Sequence, residues 1–262
     1  MPLAAGNARV KDARRLSRRS VRTERRLFLA EGPNAVAAAL ARPGCVVELF
    51  VTPAAAGRHA DLLAAAPDDV EVVLVDDRAA AALSDAVTAP GLVAVCHLLD
   101  AGWDDVVAAS PRLVAVCADV RDPGNAGTVV RTADAAGADA VVLAGDAVDL
   151  HNAKTVRASA GSVFSLPVVV ERDPAAAVRR LADAGLTVLA TAADGELDLF
   201  AADDVLAGGV AWLFGNEASG LPADLAALAD HRVSIPLAGH AESLNLATAA
   251  AVCLYASARA RR

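Results

Sequence analysis

Short apolar runs alternate with helical patterns along the whole chain. The apolar runs have the length and the residue types of buried strands, and most segments between them repeat their apolar positions at a helical spacing. This alternation predicts an α/β protein. The predicted strands are residues 27–30, 46–52, 70–75, 92–99, 113–117, 140–143, 167–170, 187–191, 209–214 and 232–236.

Residues 119–137 follow the predicted strand 113–117 with a loop rich in glycine and then a helix. The apolar positions of this helix share one face. Arg131 lies off that face, one turn after Gly127, which has no side chain to block access. A strand, a glycine loop and a helix with one arginine on its polar face are typical of a site at the carboxyl end of a parallel sheet. An ordinary surface arginine near a helix start explains this stretch equally well.

A polar connection at residues 103–111 separates two series of strands, and we place the domain boundary there. Residues 1–105 form the smaller predicted α/β domain, and residues 110–262 form the second. The chain ends in a predicted helix over residues 243–260, with Ser243 as its N-cap. This helix is apolar almost all round, so we expect it to pack on the sheet and also on a partner subunit.

Charge is distributed unevenly along the chain. The net charge is -8, yet basic residues crowd a predicted helix over residues 8–26. A basic segment on an acidic body is typical of proteins that bind polyanions, and we favour RNA over a solvated terminal helix or an organelle transit peptide. Aromatic residues make up only 3% of the chain, which argues against recognition of bases by stacking platforms. The predicted RNA contacts in this segment are Arg14, Arg15, Arg18, Arg19 and Arg22.

Absent patterns exclude several kinds of site. The four cysteines are scattered and none is at metal-ligand spacing, so no metal is expected. No apolar run approaches the ~20 residues that a membrane helix needs, and no signal-peptide core follows the start. We therefore expect a cytoplasmic protein with no membrane partner. The chain also lacks the GxxxxGK[ST], HExxH and GxSxG motifs.

A polar cluster at residues 152–161 (NAKTVRASAG) carries two basic side chains. Lys154 and Arg157 are three residues apart and share a helix face. The pair predicts a contact with RNA phosphates, although an ordinary surface pair fits the pattern as well.

Two further clusters follow the last predicted strands. Residues 213–222 (LFGNEASGLP) place Glu217 in a tight turn after a buried strand. Residues 235–245 (IPLAGHAESLN) hold Ser243 and Asn245, which helix capping alone could explain. The polar loops thus concentrate at the ends of late strands. In an ordinary Rossmann unit the glycine-rich loop would follow the first strand.

Three of these stretches resemble the ordered motifs of the SpoU/TrmH-type RNA ribose 2'-O-methyltransferases, members of the SPOUT superfamily. The resemblance covers roughly residues 110–262, and the KTVRASAG segment supports it. The first half resembles, more loosely, the ribosomal-protein-L30-like substrate-binding domain of these enzymes. Departures from the family pattern at Ala136 and at residues 246–247 leave the polar positions unchanged. The three motifs are NAGTVVR at 125–131, FGNEASGLP at 214–222 and IP…ESLNLA at 235–247.

The resemblance implies a C-terminal parallel-sheet α/β domain whose last segment is threaded into a deep trefoil knot. Knots are nearly absent from proteins, so only the resemblance supports this expectation. It further implies that S-adenosylmethionine is held in the knot by backbone groups, and that the chain forms a homodimer through its C-terminal domain. By position, the cofactor-binding residues are Thr191, Gly215, Ile235 and Leu244.

The resemblance also implies roles in methyl transfer to a ribose 2'-hydroxyl. Arg131 would act on that hydroxyl by stabilising the developing alkoxide, because a guanidinium is too permanently protonated to serve as a base. A substrate phosphate or solvent would take the proton. Asn125 would orient the ribose or Arg131, and Glu217 would hold Arg131 or a loop amide. Ser243 and Asn245 would shape the pocket around the substrate hydroxyl.

The RNA and the function leave alternatives open. The N-terminal domain favours 23S rRNA over tRNA. A non-catalytic RNA-binding protein that kept the fold is a second possibility, although the intact polar site residues argue against it. A methyltransferase of the same superfamily that acts on a base nitrogen would carry different motifs.

Overall fold

The computed structural model describes residues 1–262 and divides them into two compact units. The first unit combines residues 1–99 with residues 151–165, and the second contains the rest of the chain. The second domain predicted from the sequence, residues 110–262, included the segment 151–165. In the structure this segment packs with the first unit.

Each of the ten predicted strands overlaps an observed strand, and only the short β9 was not predicted. The strands are β1 (Leu27–Glu31), β2 (Val46–Val51), β3 (Glu71–Leu74), β4 (Leu92–His97), β5 (Leu113–Ala118), β6 (Ala140–Ala144), β7 (Val168–Glu171), β8 (Thr187–Thr191), β9 (Leu197–Asp198), β10 (Val210–Phe214) and β11 (His231–Ser234). The helices are α1 (Ala8–Arg14), α2 (Arg19–Arg25), α3 (Pro33–Leu40), α4 (Pro53–Arg58), α5 (Ala60–Ala64), α6 (Asp77–Leu83), α7 (Trp103–Ala108), α8 (Pro123–Ala135), α9 (Ala153–Ala158), α10 (Pro174–Asp183), α11 (Asp203–Leu206), α12 (Ala223–Ala226) and α13 (Leu246–Ala260).

The basic helix predicted over residues 8–26 is interrupted in the structure. A 3₁₀ turn, Arg15–Ser17, and the extended backbone of Arg18 separate α1 from α2. Val10 and Leu16 are buried on one side of this segment. Apolar burial therefore anchors the segment, and it divides the arginines into those that face the protein and those that face solvent.

The first unit is built on a four-stranded mixed sheet. Its strand order is β1-β4-β2-β3, with β4 antiparallel to both neighbours and β2 parallel to β3. Side chains of α1, the 3₁₀ turn and α6 form one core with this sheet, in which Phe50 and Val93 are nearly inaccessible to solvent. The sheet thus supports the basic segment directly.

The segment 151–165 is fastened to the first unit by an ion-pair cluster. Arg157 of α9 pairs with Glu31 of β1 and with Asp85, and Ser84 donates a hydrogen bond to the Glu31 carboxylate. The Glu31 side chain is only 3% exposed. This arrangement departs from the predicted phosphate contact, because the Arg157 guanidinium already neutralises carboxylates within the unit.

The second unit is built on a seven-stranded sheet in which all neighbouring strands are parallel, so the parallel-sheet prediction is confirmed. The strand order is β7-β6-β5-β10-β8-β11-β9. The central strands β5 and β10 are buried along their whole length. β10 follows β9 in the chain but lies between β5 and β8 in the sheet. The loops that follow β5, β8 and β10 are far apart in the sequence and emerge at one edge of the sheet.

The last helix, α13, begins later than predicted. Its N-cap is Asn245, whose side chain accepts hydrogen bonds from the amides of Ala247 and Thr248, and Ser243 lies in the preceding loop. The buried Trp212 of β10 donates its indole N–H to Ser257 of α13 at 2.9 Å, which fixes the helix against the sheet. Neither α13 nor any other helix has the length and apolar character needed to span a bilayer.

We expect removal of the Arg157 side chain to destabilise the first unit. Arg157→Met leaves the buried Glu31 carboxylate without its cation, and an uncompensated buried charge costs about 3 kcal/mol or more. The double variant Arg157→Met/Glu31→Gln removes both charges and should recover most of this loss. Urea unfolding followed by circular dichroism measures both variants, and an equally large loss in the double variant would contradict the role of the ion pair.

Candidate active site

The predicted site loops meet at the carboxyl edge of the parallel sheet. The strands β5, β10 and β8 are neighbours, and β11 lies next to β8. Since all of them run in the same direction, their following loops emerge at one edge. The loops that carry the three motifs are therefore brought together by strand order rather than by sequence distance.

Asp119 forms the corner at which β5 ends. Its backbone has a φ of 54°, a left-handed conformation that is uncommon outside glycine. Its carbonyl accepts a hydrogen bond from the Asn216 side chain at 2.7 Å, and its carboxylate accepts the Asp146 amide at 2.7 Å. One residue thus ties together the loops that follow β5, β6 and β10.

The loop after β10 is a tight hairpin over residues 216–220. Asn216 and Gly220 exchange backbone hydrogen bonds of 3.0 and 2.9 Å, and the Asn216 side chain accepts the Ala218 amide at 2.9 Å. At Gly215 a β-carbon would overlap the backbone of Gly220. Gly215 is therefore required for the close approach of the two sides of the loop.

Glu217 lies in this hairpin and binds the loop that precedes α8. Its carboxylate accepts the Arg121 amide at 3.3 Å, the Asp122 amide at 3.2 Å and the Asn125 side chain at 3.1 Å. Burial raises the pKa of Glu217, but the hydrogen bonds from Asn125 and from the amides outweigh this effect and hold the pKa below its ordinary value. Of the two expected partners, Glu217 therefore holds loop amides and not Arg131.

A second hydrogen bond extends this contact to the start of α13. The Asn245 side chain donates to the side-chain oxygen of Asn125 at 3.1 Å, while Asn125 donates to Glu217. Asn245 also caps α13 through the same side chain. The chain of contacts Asn245–Asn125–Glu217 joins the three motif segments and leaves the Asn125 amide held on both sides.

A cavity of about 350 Å³ lies beside this network. All four residues predicted to bind the cofactor line it, together with Glu217 and Ser243. The apolar residues Phe214 and Val233 and the acidic residue Glu242 also line it. Apolar walls with a few carboxylates fit a ligand that has a flat apolar part and a positive charge. The four cofactor residues are Thr191, Gly215, Ile235 and Leu244.

Arg131 occupies a different position from the other predicted catalytic residues. Its side chain is exposed on α8, makes no hydrogen bond or ion pair, and does not line the cavity. Asn245 also lies outside the cavity wall, between the lining residues Leu244 and Leu246, and donates a hydrogen bond to Asn125. Cys117, buried below the site at the end of β5, is not a nucleophile at neutral pH, because burial and the charge of Glu217 raise its pKa to about 12.

The predicted RNA contacts fall into two groups. Arg14, Arg18 and Arg19 are exposed, and no hydrogen bond or ion pair engages their guanidinium groups. Arg15 is exposed and lies 3.8 Å from the Asp12 carboxylate. In contrast Arg22 is buried and donates to the carbonyls of Leu16 and Ser17, so it supports the turn between α1 and α2.

Two residues that organise the site, Asp119 and Asn216, were not among the predicted site residues. Asp119 follows β5 directly and precedes the first motif, and Asn216 lies in the second motif next to Glu217. Asn216 had a usable signal, because an asparagine at the start of a short loop commonly turns its side chain back onto backbone amides. No group of three or more histidine, cysteine, aspartate or glutamate side chains is arranged to hold a metal ion.

Comparison with known families matches both parts of the chain. The SpoU rRNA methylase family matches residues 112–255, and an MRM3-like substrate binding domain matches residues 7–94. Among characterised relatives, the 23S rRNA (guanosine(2553)-2'-O)-methyltransferase RlmP of Bacillus subtilis is 36% identical over 256 residues, which is 96% of each chain.

Solved structures give the same result. An rRNA methyltransferase from Sinorhizobium meliloti with bound AdoMet superposes with a TM-score of 0.83 at 32% identity, covering 97% of this chain and 95% of that one. The SpoU methyltransferase AviRb of Streptomyces viridochromogenes, in complex with AdoMet, gives a TM-score of 0.82 at 32% identity, covering 97% and 98%.

We expect Gly215→Ala to close the cavity. The added methyl group overlaps the backbone of Gly220, so the hairpin that carries Glu217 has to shift. Gly239→Ala is the matched control, because a β-carbon there meets nothing within 4 Å. Isothermal titration with S-adenosylmethionine should show at least a tenfold weaker affinity for Gly215→Ala and an unchanged affinity for Gly239→Ala. Equal affinities in both variants would show that the cavity does not hold the ligand.

Proposed function

The chain belongs to the SpoU rRNA methylase family, and we propose that it transfers a methyl group from S-adenosylmethionine to a ribose 2'-hydroxyl of 23S rRNA. The observation that carries this proposal is one cavity lined by all four residues predicted to bind the cofactor, beside three hydrogen-bonded polar residues predicted for catalysis. The name of the Bacillus subtilis relative supports 23S rRNA over tRNA.

S-adenosylmethionine, when bound, supplies an electrophilic methyl group on a sulfonium. Glu242, which lines the cavity, suits its positive charge, and the apolar residues Phe214 and Val233 suit its adenine. Thr191, the last residue of β8, also lines the cavity and offers it backbone groups. The remaining work of the enzyme is to align the attacking oxygen with the methyl group and to lower the cost of losing its proton.

Arg131 is the residue that we assign to the ribose hydroxyl. It is the one cation of α8, its guanidinium is free of partners, and helical side chains lean over the preceding turn, here toward Gly127 and Thr128 near the start of α8. The permanent charge of Arg131 stabilises the developing alkoxide, and a substrate phosphate or solvent takes the proton.

The other polar residues position the reaction. Asn125 is held between Glu217 and Asn245, so its orientation toward a ribose is fixed before substrate binds. Glu217 secures the loop that carries Asn125, and Ser243 shapes the cavity wall near the substrate hydroxyl. Such preorganisation avoids a cost of rearrangement during the reaction.

The first unit would bind RNA through its basic segment. Arg14, Arg15, Arg18 and Arg19 are exposed and suit phosphate contacts, and exposed Lys154 remains a candidate. Arg22 and Arg157 are left out of this surface, because their guanidinium groups serve the fold. In our proposal, residues 1–105 remain the substrate-binding domain and residues 110–262 the catalytic one.

Three further features belong to the proposal. A trefoil knot around the cofactor is supported by the structural likeness to SpoU methyltransferases. A homodimer through the C-terminal domain is supported by Tyr255 of α13 and by Phe200, which expose 52% and 62% of their surface. A cytoplasmic location follows from the proposed rRNA substrate.

A methyl-transfer assay tests the function. Tritiated S-adenosylmethionine is offered with unmodified 23S rRNA, 16S rRNA or bulk tRNA, and labelled nucleosides are identified. Label in a ribose-methylated nucleoside of 23S rRNA is the expected result. Label in tRNA would overturn the proposed substrate, and label in a methylated base would overturn the proposed reaction class. Absence of both label and cofactor binding would favour a non-catalytic RNA-binding protein.

In the same assay, we expect Arg131→Ala to lower kcat by at least about a hundredfold, which is the usual loss when a group that stabilises a transition-state charge is removed. Its affinity for S-adenosylmethionine should match that of the wild type, because Arg131 does not line the cavity. Substantial turnover by this variant would exclude Arg131 as the catalytic cation.

The basic segment is tested by substitution, because deletion would remove the buried residues Val10 and Leu16. The triple variant Arg14→Ala/Arg18→Ala/Arg19→Ala should bind 23S rRNA more weakly and with a shallower salt dependence. Each phosphate contact that is lost lowers the slope of log K against log salt by about 0.7 to 0.9. Arg58→Ala, at an exposed arginine outside the segment, is the control. An unchanged slope in the triple variant would exclude the segment from RNA binding.

A further inference from the structure

A groove of about 740 Å³ adjoins the cofactor cavity in the second unit. The two share Asn216, Glu217, Ala218 and Gly220, so the hairpin after β10 forms a common wall. Asn125, which we propose orients the ribose, lines the groove and not the cavity. A ribose in contact with Asn125 would therefore place its flanking phosphates in or beside this groove.

The charges of the groove decide whether it can accept a phosphate. Asp119, Asp122 and Glu217 line it, and three free carboxylates would repel RNA. Each of them, however, accepts backbone amides: Asp119 from Asp146, Asp122 from Asn125, and Glu217 from the loop before α8. These amides offset part of the negative charge of each carboxylate, so the groove repels a phosphate less than three free carboxylates would.

Arg121 is the single basic residue that lines the groove. Its backbone amide donates a hydrogen bond to the Glu217 carboxylate, which fixes the main chain from which the Arg121 side chain extends. Its side chain is 69% exposed, and its guanidinium meets one partner, the Asp146 carboxylate, at 3.4 Å. Asp146 is itself 81% exposed, so this is a weak surface pair that a stronger ligand can displace.

We propose that this groove binds a phosphodiester of the RNA next to the methylated ribose, with Arg121 as the phosphate ligand and Asp146 as a competing intramolecular anion. The inference rests on the proposed function and extends it to the substrate side of the same site. An arginine can form two parallel hydrogen bonds to a phosphate, which favours the phosphate over one long contact to a solvated carboxylate. Asp146 then weakens RNA binding without touching RNA.

The test compares single and double variants of the full chain. Arg121→Ala should raise the KM for 23S rRNA about tenfold, as expected for loss of a charge-assisted hydrogen bond, with an unchanged Kd for S-adenosylmethionine. Arg121→Lys should restore part of this loss, because a lysine keeps the charge without the paired geometry. Asp146→Asn should lower the KM two- to threefold at low salt, with the gain fading as salt rises.

The double variant separates competition from a direct effect of Asp146. If Asp146 acts only by occupying Arg121, Arg121→Ala/Asp146→Asn has the KM of Arg121→Ala alone. An unchanged KM in Arg121→Ala would overturn the phosphate site. A gain from Asp146→Asn that persists in the Arg121→Ala background would overturn the competition.

Failure of this inference is distinguishable from failure of the proposed function. Filter binding of 23S rRNA to the cofactor-loaded protein measures affinity without turnover. If the wild type binds 23S rRNA but transfers no methyl group, the proposed reaction is wrong, and the affinities of the Arg121 and Asp146 variants still decide the groove. If the wild type methylates and all variants bind equally, only the groove assignment is wrong.

Discussion

The carboxylate of Glu217 is the contact on which the arrangement of the site depends. It accepts hydrogen bonds from a loop and from Asn125, 92 residues away in sequence, and Asn125 in turn holds Asn245 across 120 residues. The ionised form accepts these bonds, so the folded pKa lies below that of the unfolded chain. Its contribution to stability is therefore present above the ordinary glutamate pKa and is lost as pH falls through the lowered folded value. The site is most firmly held at neutral pH.

Local patterns in the sequence were sufficient to predict the strands, and the family resemblance indicated the candidate site residues, but neither showed how distant segments combine. A buried strand such as β10 is identified by its own apolar residues, whereas its place between β5 and β8 depends on long-range pairing. The segment 151–165 joined the first unit because Arg157 neutralises Glu31, a contact with no local signal. The predicted N-cap of the last helix, Ser243, was wrong for a similar reason. Ser243 and Asn245 are both good caps, and Asn245, the observed cap, also bonds to the distant Asn125.

Arginines with the same apparent role in the sequence have different roles in the structure. In the basic segment, Arg22 follows buried Val21 and turns its guanidinium onto two carbonyls, while Arg18 lies on extended backbone and is exposed. A guanidinium has five donors and cannot lose its charge, so burial requires acceptors close by. The carbonyls at the end of a 3₁₀ turn supply them. Counting basic residues therefore overestimates the surface available to RNA.

The acidic net charge of -8 does not conflict with a polyanionic substrate. At physiological ionic strength a charge is screened within about 8 Å, so the contact is governed by the charges nearest the bound phosphate. Around the site these include carboxylates that accept hydrogen bonds from backbone amides, and an arginine with an exposed side chain. The hydrogen bonds that hold these loops in place also offset part of the negative charge beside the groove. The hydrogen bonds that order the site therefore also reduce its electrostatic repulsion of RNA.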